Sequence, residues 1–291
     1  MLVDLVQVTA ADGVRLHGAL ETSPLATLGG ANSSAVDIWL CIHGTGSNFY
    51  AAATLGGLAP KLLATGAAVL RANTRGHDII CTGPSAGGHA LLGAAFERVA
   101  EASLDLKAWV SFLQERGYRH IGLLGHSLGA IKAILTLAAD DPPQVAALVA
   151  ASPPRLSYEH FRQSRLGEEF LRNFAVAEKL VAERRGDELM LVQFPIAYYV
   201  SAAGFVDRYG PGERYNILKM LARVAVPTFI TYGSAEIQHH EAFQGMPEAV
   251  EREATEKNRL QVAVVAGADH QYTGCHDTLA AMIGKWQQKI G

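Results

Sequence analysis

Six short apolar runs constrain the fold of this chain more than any other feature. Each run is continuous rather than alternating, as expected of a strand that is buried on both faces of a sheet. Helical patterns lie between most of the runs, and this alternation predicts an α/β fold with a mostly parallel sheet covered by helices on both faces. The six runs read DIWLCIHG, AAVLRANTRG, HIGLLGHS, VAALVAASPP, VPTFITYG and LQVAVVAGADH.

Short sequence patterns outside these runs predict further elements of structure. Asp12-Gly13 lies between two alternating segments and predicts a β-hairpin near the N-terminus. The stretch from Leu25 to Ser34 is rich in Gly, Ser and Ala and predicts an exposed connector. Apolar residues at helical spacing predict a helix over Ala94–Glu115. Further helices are predicted over Leu128–Ala139, over the strongly polar, amphipathic segment Glu241–Lys257, and over Thr278–Ile290.

One long segment interrupts the alternation of strands and helices. Residues 153–223 contain helical patterns and an aromatic stretch rich in Gly and Pro, but no convincing buried strand. We interpret this segment as a mainly helical cap inserted into a core formed by residues 1–152 and 224–291. The alternative is a segment that is exposed to solvent. This alternative is disfavoured because it would leave many large apolar side chains in water. We expect the aromatic residues to line the substrate pocket; they are Phe194, Tyr198, Tyr199, Phe205 and Tyr209.

A serine lies between two glycines at the junction of a strand pattern and a helix pattern, in Gly125-His126-Ser127-Leu128-Gly129. A sharp strand-to-helix turn would expose the Ser127 hydroxyl and aim the helix N-terminus at it. Its tight backbone would leave no room for side chains two residues to either side. We therefore predict that Ser127 is a catalytic nucleophile; the alternative is a packing turn.

The loop after the first buried strand, His43-Gly44-Thr45-Gly46, is the candidate oxyanion loop. The N–H groups of Thr45 and Leu128 together would stabilise an oxyanion. An ordinary Gly-rich connection is the alternative for this loop. We expect His43 to brace the loop rather than to act as a base.

The general base is predicted to be His270, just after the last strand, where a short loop can place an imidazole over the sheet. A surface histidine is the alternative. The adjacent Asp269 would point elsewhere and brace the loop. His239 and His240 lie side by side but lack the carboxylate or cysteine spacing of a metal site.

The residue that orients the base should be a carboxylate at a strand end between Ser127 and His270. Glu236, three residues after the end of a strand, fits this position best. The cap acids Asp207 and Glu213 lie off the predicted sheet, and no acid follows the preceding strand. A solvated loop glutamate is the alternative for Glu236.

Taken together, these motifs resemble those of the α/β-hydrolase superfamily over most of the chain. The resemblance implies an α/β-hydrolase fold and an activity like that of serine esterases on small esters, including siderophore and other secondary-metabolite esters. The family usually carries aspartate at the acid turn, where this chain has glutamate. The matching segments are His43-Gly44-Thr45-Gly46, Asn73-Thr74-Arg75-Gly76-His77, Gly125-His126-Ser127-Leu128-Gly129, Gly233-Ser234-Ala235-Glu236 and Gly267-Ala268-Asp269-His270.

The sequence thus predicts a serine hydrolase that cleaves a carboxylic ester of a small molecule through an acyl-enzyme, without a cofactor or metal. An acyltransferase or thioesterase would use the same three residues. A dehalogenase or epoxide hydrolase of this fold needs a carboxylate nucleophile. Ser127 occupies the nucleophile position, which argues against both activities. A non-catalytic ligand-binding protein of the same fold is the alternative from a different class.

Composition limits the binding partners and the cellular compartment that we expect for this protein. The net charge is −3 with no long run of like charge, which argues against nucleic acid or an anionic membrane as partner. No apolar run approaches the roughly 20 residues of a membrane span, and we expect no signal peptide. Three cysteines, odd in number and far apart, favour free thiols and hence the cytoplasm. The oligomeric state is left open.

Overall fold

A computed structural model describes residues 3–23 and 35–290 of the chain. The predicted connector from Leu25 to Ser34 lies outside the described residues. No helix within the described ranges is long and apolar enough to cross a membrane.

The strands in the described residues are short, and most follow the apolar runs. They are β1 (Asp4–Thr9), β2 (Arg15–Glu21), β3 (Ile38–Ile42), β4 (Ala68–Ala72), β5 (Cys81–Ser85), β6 (Gly88–Leu92), β7 (Ile121–His126), β8 (Ala147–Ala151), β9 (Leu189–Val192), β10 (Tyr198–Ser201), β11 (Thr228–Gly233) and β12 (Gln261–Val265).

The α-helices alternate with these strands. They are α1 (Ala53–Ala64), α2 (Ala102–Glu115), α3 (Leu128–Leu137), α4 (Tyr158–Arg162), α5 (Gly167–Ala182), α6 (Ala202–Tyr209), α7 (Ser234–His239), α8 (Met246–Glu251) and α9 (His276–Ile290). Short 3₁₀ helices span Val99–Glu101, Ile217–Lys219, Leu221–Arg223 and Glu241–Phe243.

Eight strands form one sheet in the order β1-β2-β4-β3-β7-β8-β11-β12. The pairs β1–β2 and β2–β4 are antiparallel, and the other five pairs are parallel. Ile42 pairs with Gly125, and His126 pairs with Ala151, so the central strands end level with one another. The loops that follow these strands therefore meet at one edge of the sheet, where ligands bind in open α/β sheets. All six predicted strands and the N-terminal hairpin are confirmed.

Each face of the sheet is covered by its own apolar cluster. On one face, side chains of α2 and α3 pack on the strands, among them Trp109 and Ile131, and this cluster continues into the segment 153–223. On the other face, α1 and α9 pack on the sheet, with Trp286 stacked on Phe229. The α/β-hydrolase fold predicted from the sequence is thus confirmed.

Two of the predicted helices are shorter than expected. The helix predicted over Ala94–Glu115 begins at Ala102, because the preceding loop turns Glu97 into the interior, where it meets Lys132. The helix predicted over Glu241–Lys257 is interrupted at Gly245, whose φ of 65° is left-handed, and only α8 is α-helical there. Sequence inspection also missed the hairpin formed by β5 and β6, since its strands carry Gly and Pro rather than an apolar run.

Residues 153–223, all of which are described, contribute no strand to the eight-stranded sheet. They contain α4, α5 and α6 together with a two-stranded hairpin, β9–β10, that the sequence did not predict. The segment has an aromatic interior in which Phe161, Phe170 and Phe205 are fully buried. We call this segment the cap; its boundaries as a separate domain stay a prediction.

Two buried histidines stand at the ends of central strands. The Nδ1–H group of His43 donates to the Gly44 carbonyl oxygen over 2.8 Å, and Nε2 accepts from the Thr74 N–H over 3.1 Å. Nε2 of His126 donates to the carbonyl oxygen of His270 over 2.8 Å. Burial, with a smaller contribution from Lys132, lowers the pKa of His43 to about 3. Burial and the neighbouring His270 lower the pKa of His126 to about 3.

These depressed pKa values predict a loss of stability in acid. Below the ordinary histidine pKa of 6.5, the unfolded chain binds protons at these two positions that the folded chain does not bind until about pH 3. The free energy of unfolding should therefore fall as the pH drops from 6.5 towards 3, by about 2 kcal/mol for each histidine at pH 5. Urea unfolding at pH 7 and pH 5 measures this difference.

A pair of variants assigns the effect to the buried site. In His126→Gln, the difference between pH 7 and pH 5 should shrink by about 2 kcal/mol, because the group that titrates is gone. In His89→Gln, which removes an exposed histidine of β6, the difference should stay as in the wild type. An unaltered difference in His126→Gln would contradict the prediction.

Candidate active site

Ser127 lies in the turn between β7 and α3 with φ 56° and ψ −124°, a strained backbone conformation for a residue with a side chain. Such strain costs about 1–3 kcal/mol and persists only where the surroundings enforce it. A Cβ atom on Gly125 would lie 2.4 Å from the carbonyl oxygen of Gly129, and a Cβ atom on Gly129 would lie 2.3 Å from that of Ile42. The tight turn and the need for both glycines are as expected from the sequence.

His270 follows β12 and lies between the other two predicted site residues. Its Nε2 is 3.0 Å from Oγ of Ser127, and its Nδ1 is 2.8 Å from Oε2 of Glu236. The imidazole side chain is 27% exposed, whereas the carboxylate of Glu236 is fully buried. The structure therefore joins the three residues in one line of hydrogen bonds, with the hydroxyl at its accessible end.

Glu236 reaches this position from the first turn of α7. Its Oε1 accepts from the N–H of Gly233 over 2.7 Å, which is the reach-back contact of a capping box, and from the hydroxyl of Ser152 over 2.5 Å. Its Oε2 remains for His270. The longer side chain of glutamate thus contacts both the N–H of Gly233 and the imidazole of His270 from a turn where the family usually carries aspartate.

Ser152 is a site residue that the sequence analysis missed. It follows β8 in a left-handed conformation, φ 51°, and its hydroxyl also contacts the hydroxyl of Tyr272 over 2.9 Å. The hydroxyl of Tyr272 is in turn 2.9 Å from Oγ1 of Thr231. Burial and the charge of Glu236 raise the pKa of Tyr272, so it remains a hydroxyl that can donate. A serine after a strand carries no sequence signal that separates this role from a turn.

The two predicted oxyanion donors lie next to Ser127. Leu128 is the first residue of α3, and an N–H at that position has no acceptor within its own helix. A Cβ atom on Gly44 would lie 2.9 Å from Cβ of Ser127, so the backbone leading to Thr45 passes directly beside the serine. Thr45, Ser127 and Leu128 all line one cavity.

This cavity has a volume of about 540 Å³ and is walled by both the core and the cap. Of the aromatic residues predicted to line it, Phe194 and Tyr209 do so. The expectation for Tyr198, Tyr199 and Phe205 is wrong, because none of the three lines the cavity. Tyr199 is 50% exposed. Tyr198 and Phe205 are buried in the cap, where Phe205 packs among aromatic rings and the ring of Tyr198 packs against Arg208.

The remaining candidate residues have other contacts. Oδ1 of Asp269 accepts the N–H groups of Gln271 and Thr273, and thereby braces the loop that carries His270. His239 and His240 line the cavity. Within the described residues there is no group of three or more His, Cys, Asp or Glu side chains that could hold a metal ion.

Comparison with solved structures identifies the fold independently. An esterase from Pyrococcus furiosus, Pf2001, superposes with a TM-score of 0.65 at 20% identity, covering 100% of this chain and 92% of that chain. The α/β hydrolase GrgF from Penicillium sp. sh18 has a TM-score of 0.66 at 15% identity, with 99% of each chain covered. Est1E from Butyrivibrio proteoclasticus, in a structure with bound ferulic acid, has a TM-score of 0.64 at 15% identity, with 98% of each chain covered.

Sequence comparison gives a match to a family model but not to a curated protein. No curated protein sequence matches this chain. The family model does match, over residues 39–281, a range that begins in β3 and ends in α9 and so includes Thr45, Ser127, Glu236 and His270. Because this range spans most of the chain, the protein belongs to the alpha/beta hydrolase family.

Proposed function

We propose that the protein is a serine hydrolase that cleaves a carboxylic ester of a small molecule through an acyl-enzyme intermediate. The observation that carries this proposal is the line of hydrogen bonds from Glu236 through His270 to Ser127, which ends at an accessible hydroxyl on a strained turn. A hydroxyl is a weak nucleophile until an adjacent base takes its proton. The 3.0 Å contact between Nε2 and Oγ is within the range for such a transfer.

In this mechanism, Oγ of Ser127 attacks the ester carbonyl carbon while its proton passes to Nε2 of His270. The carbonyl oxygen becomes an oxyanion and is held by the N–H groups of Thr45 and Leu128. Collapse breaks the bond to the leaving alcohol, which takes the proton back from His270. Water then attacks the acyl-enzyme by the same steps and releases the acid.

Glu236 supports this cycle because it accepts the Nδ1–H of His270 and stabilises the imidazolium that forms during attack. His126 has a pKa lowered to about 3, so it contributes no second positive charge 4.8 Å from the ring of His270. The surroundings therefore favour a single transient cation at His270. The fixed charges and dipoles around His270, rather than reorganising solvent, would then stabilise this cation.

The size of the cavity supports a small-molecule substrate, since pockets for such ligands have volumes of about 300–1,000 Å³. The similar structures include the esterase Pf2001 and a structure of Est1E with bound ferulic acid. An acyltransferase or thioesterase would use the same residues. The partition of the acyl group between water and an added alcohol separates acyl transfer from hydrolysis, and we expect water to be the main acceptor.

We further propose that the protein acts in the cytoplasm. All three cysteines are free thiols, and Cys41 is fully buried in the core, which fits a reducing compartment. Fractionation of the producing cells tests this location.

The nucleophile is tested by Ser127→Ala. Removing Oγ should lower ester turnover by a factor on the order of 10⁴ to 10⁶ while the fold is retained, because the three residues act as a unit. The measurement is turnover of an activated aryl ester, with circular dichroism to confirm folding.

The matched control is Ser85→Ala, which removes a serine hydroxyl from the β5–β6 hairpin and the bond it makes to the Gly88 carbonyl. This variant should retain wild-type turnover. A folded Ser127→Ala variant that keeps more than a tenth of the activity would exclude Ser127 as the nucleophile.

The acid is tested by Glu236→Gln. The carboxylate accepts from Gly233, Ser152 and His270, so an amide must place its NH₂ group against a donor and favours the wrong tautomer of His270. Turnover should fall by about 10²- to 10⁴-fold. Glu236→Asp keeps the charge and should be partly active.

Asp207→Asn is the comparison, because Asp207 is the cap acid considered from the sequence. The structure places its carboxylate on the hydroxyl of Tyr215, at 2.9 and 3.0 Å, and not on His270. Turnover near the wild-type value is expected for this variant. A large loss in Asp207→Asn together with an active Glu236→Gln would reverse the assignment.

A further inference from the structure

A buried group of charges joins the cap to the core beside the cavity. Nζ of Lys132 lies 2.5 Å from Oε1 of Glu97, and an Nη atom of Arg208 lies 3.5 Å from Oε2 of the same carboxylate. The side chains of Glu97 and Lys132 are fully buried, and that of Arg208 is 2% exposed. Two cations thus share one carboxylate, and these three side chains together have a formal charge of +1.

Arg208 is the member of this group that lines the cavity. Its guanidinium donates to the hydroxyl of Tyr198 over 2.9 Å and to the carbonyl of Ala94 over 3.4 Å. Its Nε is buried without a hydrogen-bond partner among the described residues. An unpaired buried donor on a charged group is costly, and it shows that the acceptors around this guanidinium do not use all of its hydrogen-bonding capacity.

A second arginine lines the same cavity. Arg165, between α4 and α5, is exposed and forms no ion pair with any described residue. Among the cavity-lining residues that the structure describes, the only carboxylate is that of Glu241, which lies 3.8 Å from Nε2 of His160. The cavity therefore carries two arginines against one glutamate.

Apolar side chains make up much of the remaining wall on the cap side. Leu156, Phe161, Leu166 and Phe194 line the cavity together with the two arginines. A ligand that fits this surface has an apolar body with an anionic group on it. Arginine suits such a group because its planar fork can donate two parallel hydrogen bonds to a carboxylate.

We propose that the natural substrate carries a carboxylate, separate from the ester that is cleaved, and that Arg208 and Arg165 bind it within the cavity. This inference rests on the proposed ester hydrolysis and names the substrate class for that site: a half-ester of a dicarboxylic acid, or an ester of a hydroxy acid, with an apolar segment between the two functional groups. The carboxylate supplies the negative charge that balances the second cation of the buried group.

The first experiment compares charged and neutral substrates on the wild-type protein. One arm uses 4-nitrophenyl half-esters of glutarate, adipate and suberate against neutral 4-nitrophenyl alkanoates of matched length. The other arm uses butyrate esters of 4-hydroxybenzoate against those of 4-hydroxybenzamide, which places the carboxylate on the alcohol side. In at least one of the two arms, kcat/KM for the ester that carries the carboxylate should exceed that for its neutral counterpart by about tenfold or more. This is the factor expected for a charge-assisted hydrogen bond. Equal or lower values for the carboxylate in both arms would overturn the proposal.

The second experiment assigns the preference to the arginines. Arg208→Gln and Arg165→Gln should each lower the ratio of kcat/KM for the charged and neutral esters by about tenfold. Arg98→Gln is the matched control: Arg98 donates to the carbonyl of Ala203 in α6 over 2.8 Å, but it does not line the cavity. Its ratio should equal that of the wild type. Should Arg208→Gln not fold, Arg165→Gln decides, and an unaltered ratio there overturns the proposal.

A binding measurement separates this inference from the proposed hydrolysis. Calorimetric titration of the Ser127→Ala variant with 3-phenylpropionate and with its uncharged amide should show about tenfold tighter binding of the acid, and Arg165→Gln in the same background should remove the difference. If the acid binds preferentially while no ester is cleaved, the anion site stands and the hydrolase proposal fails. If esters are cleaved but acid and amide bind alike, the hydrolase proposal stands and the anion site is excluded.

Discussion

The close approach of α3 to the ends of β3 and β7 is the contact on which the candidate site depends. No Cβ atom fits at Gly125 or Gly129, because backbone atoms lie within about 2.5 Å of where it would be. This packing holds Ser127 in a conformation that a residue with a side chain adopts only under constraint. It also sets the first N–H of α3 beside the hydroxyl, so the same contact exposes the hydroxyl that we propose as the nucleophile and positions the proposed oxyanion donor.

Behind the serine lies a buried chain of hydroxyl groups that ends on the carboxylate. Thr231, Tyr272 and Ser152 are linked by hydrogen bonds, and Ser152 donates to Glu236. A buried carboxylate is costly unless its lone pairs are occupied. Here the hydroxyl of Ser152, the N–H of Gly233 and the imidazole of His270 occupy them, so the carboxylate is held in one orientation.

The cap contributes a positively charged side chain that both contacts the core and lines the cavity. Arg208 in α6 contacts Glu97 and Ala94 of the core, so the helix that carries it is fixed to the core by buried polar contacts. Because the same side chain lines the cavity, the contacts that fix the cap also place a positive charge over the site. In our proposal, the core therefore supplies the nucleophile, and the cap supplies the charge that selects the substrate.

Much of the fold was predictable because it depends on local patterns. The apolar runs identified the parallel strands, and the glycine spacing around Ser127 predicted the tight turn that the structure contains. Ser127, His270 and Glu236 were chosen as residues that follow strands of one sheet, and parallel strands place such residues at a common edge.

The features that were missed depend on contacts between distant segments. Ser152 and Arg208 are side chains of common types whose partners lie far along the chain, and no local pattern marks them. Tyr198 and Phe205 were expected in the pocket because apolar character predicts burial but not which surface a side chain faces. The interruption at Gly245 went unpredicted because a left-handed glycine is compatible with a polar helical pattern on either side.

We propose that His270, held by Glu236, activates Ser127 for covalent attack. Labelling of the intact protein with a fluorophosphonate, followed by mass spectrometry of the peptides, tests this role. We expect a single adduct on Ser127 in the wild-type protein and its near-complete loss in a folded His270→Ala variant. A wild-type protein that stays unlabelled, or an adduct on another residue that survives His270→Ala, would contradict it.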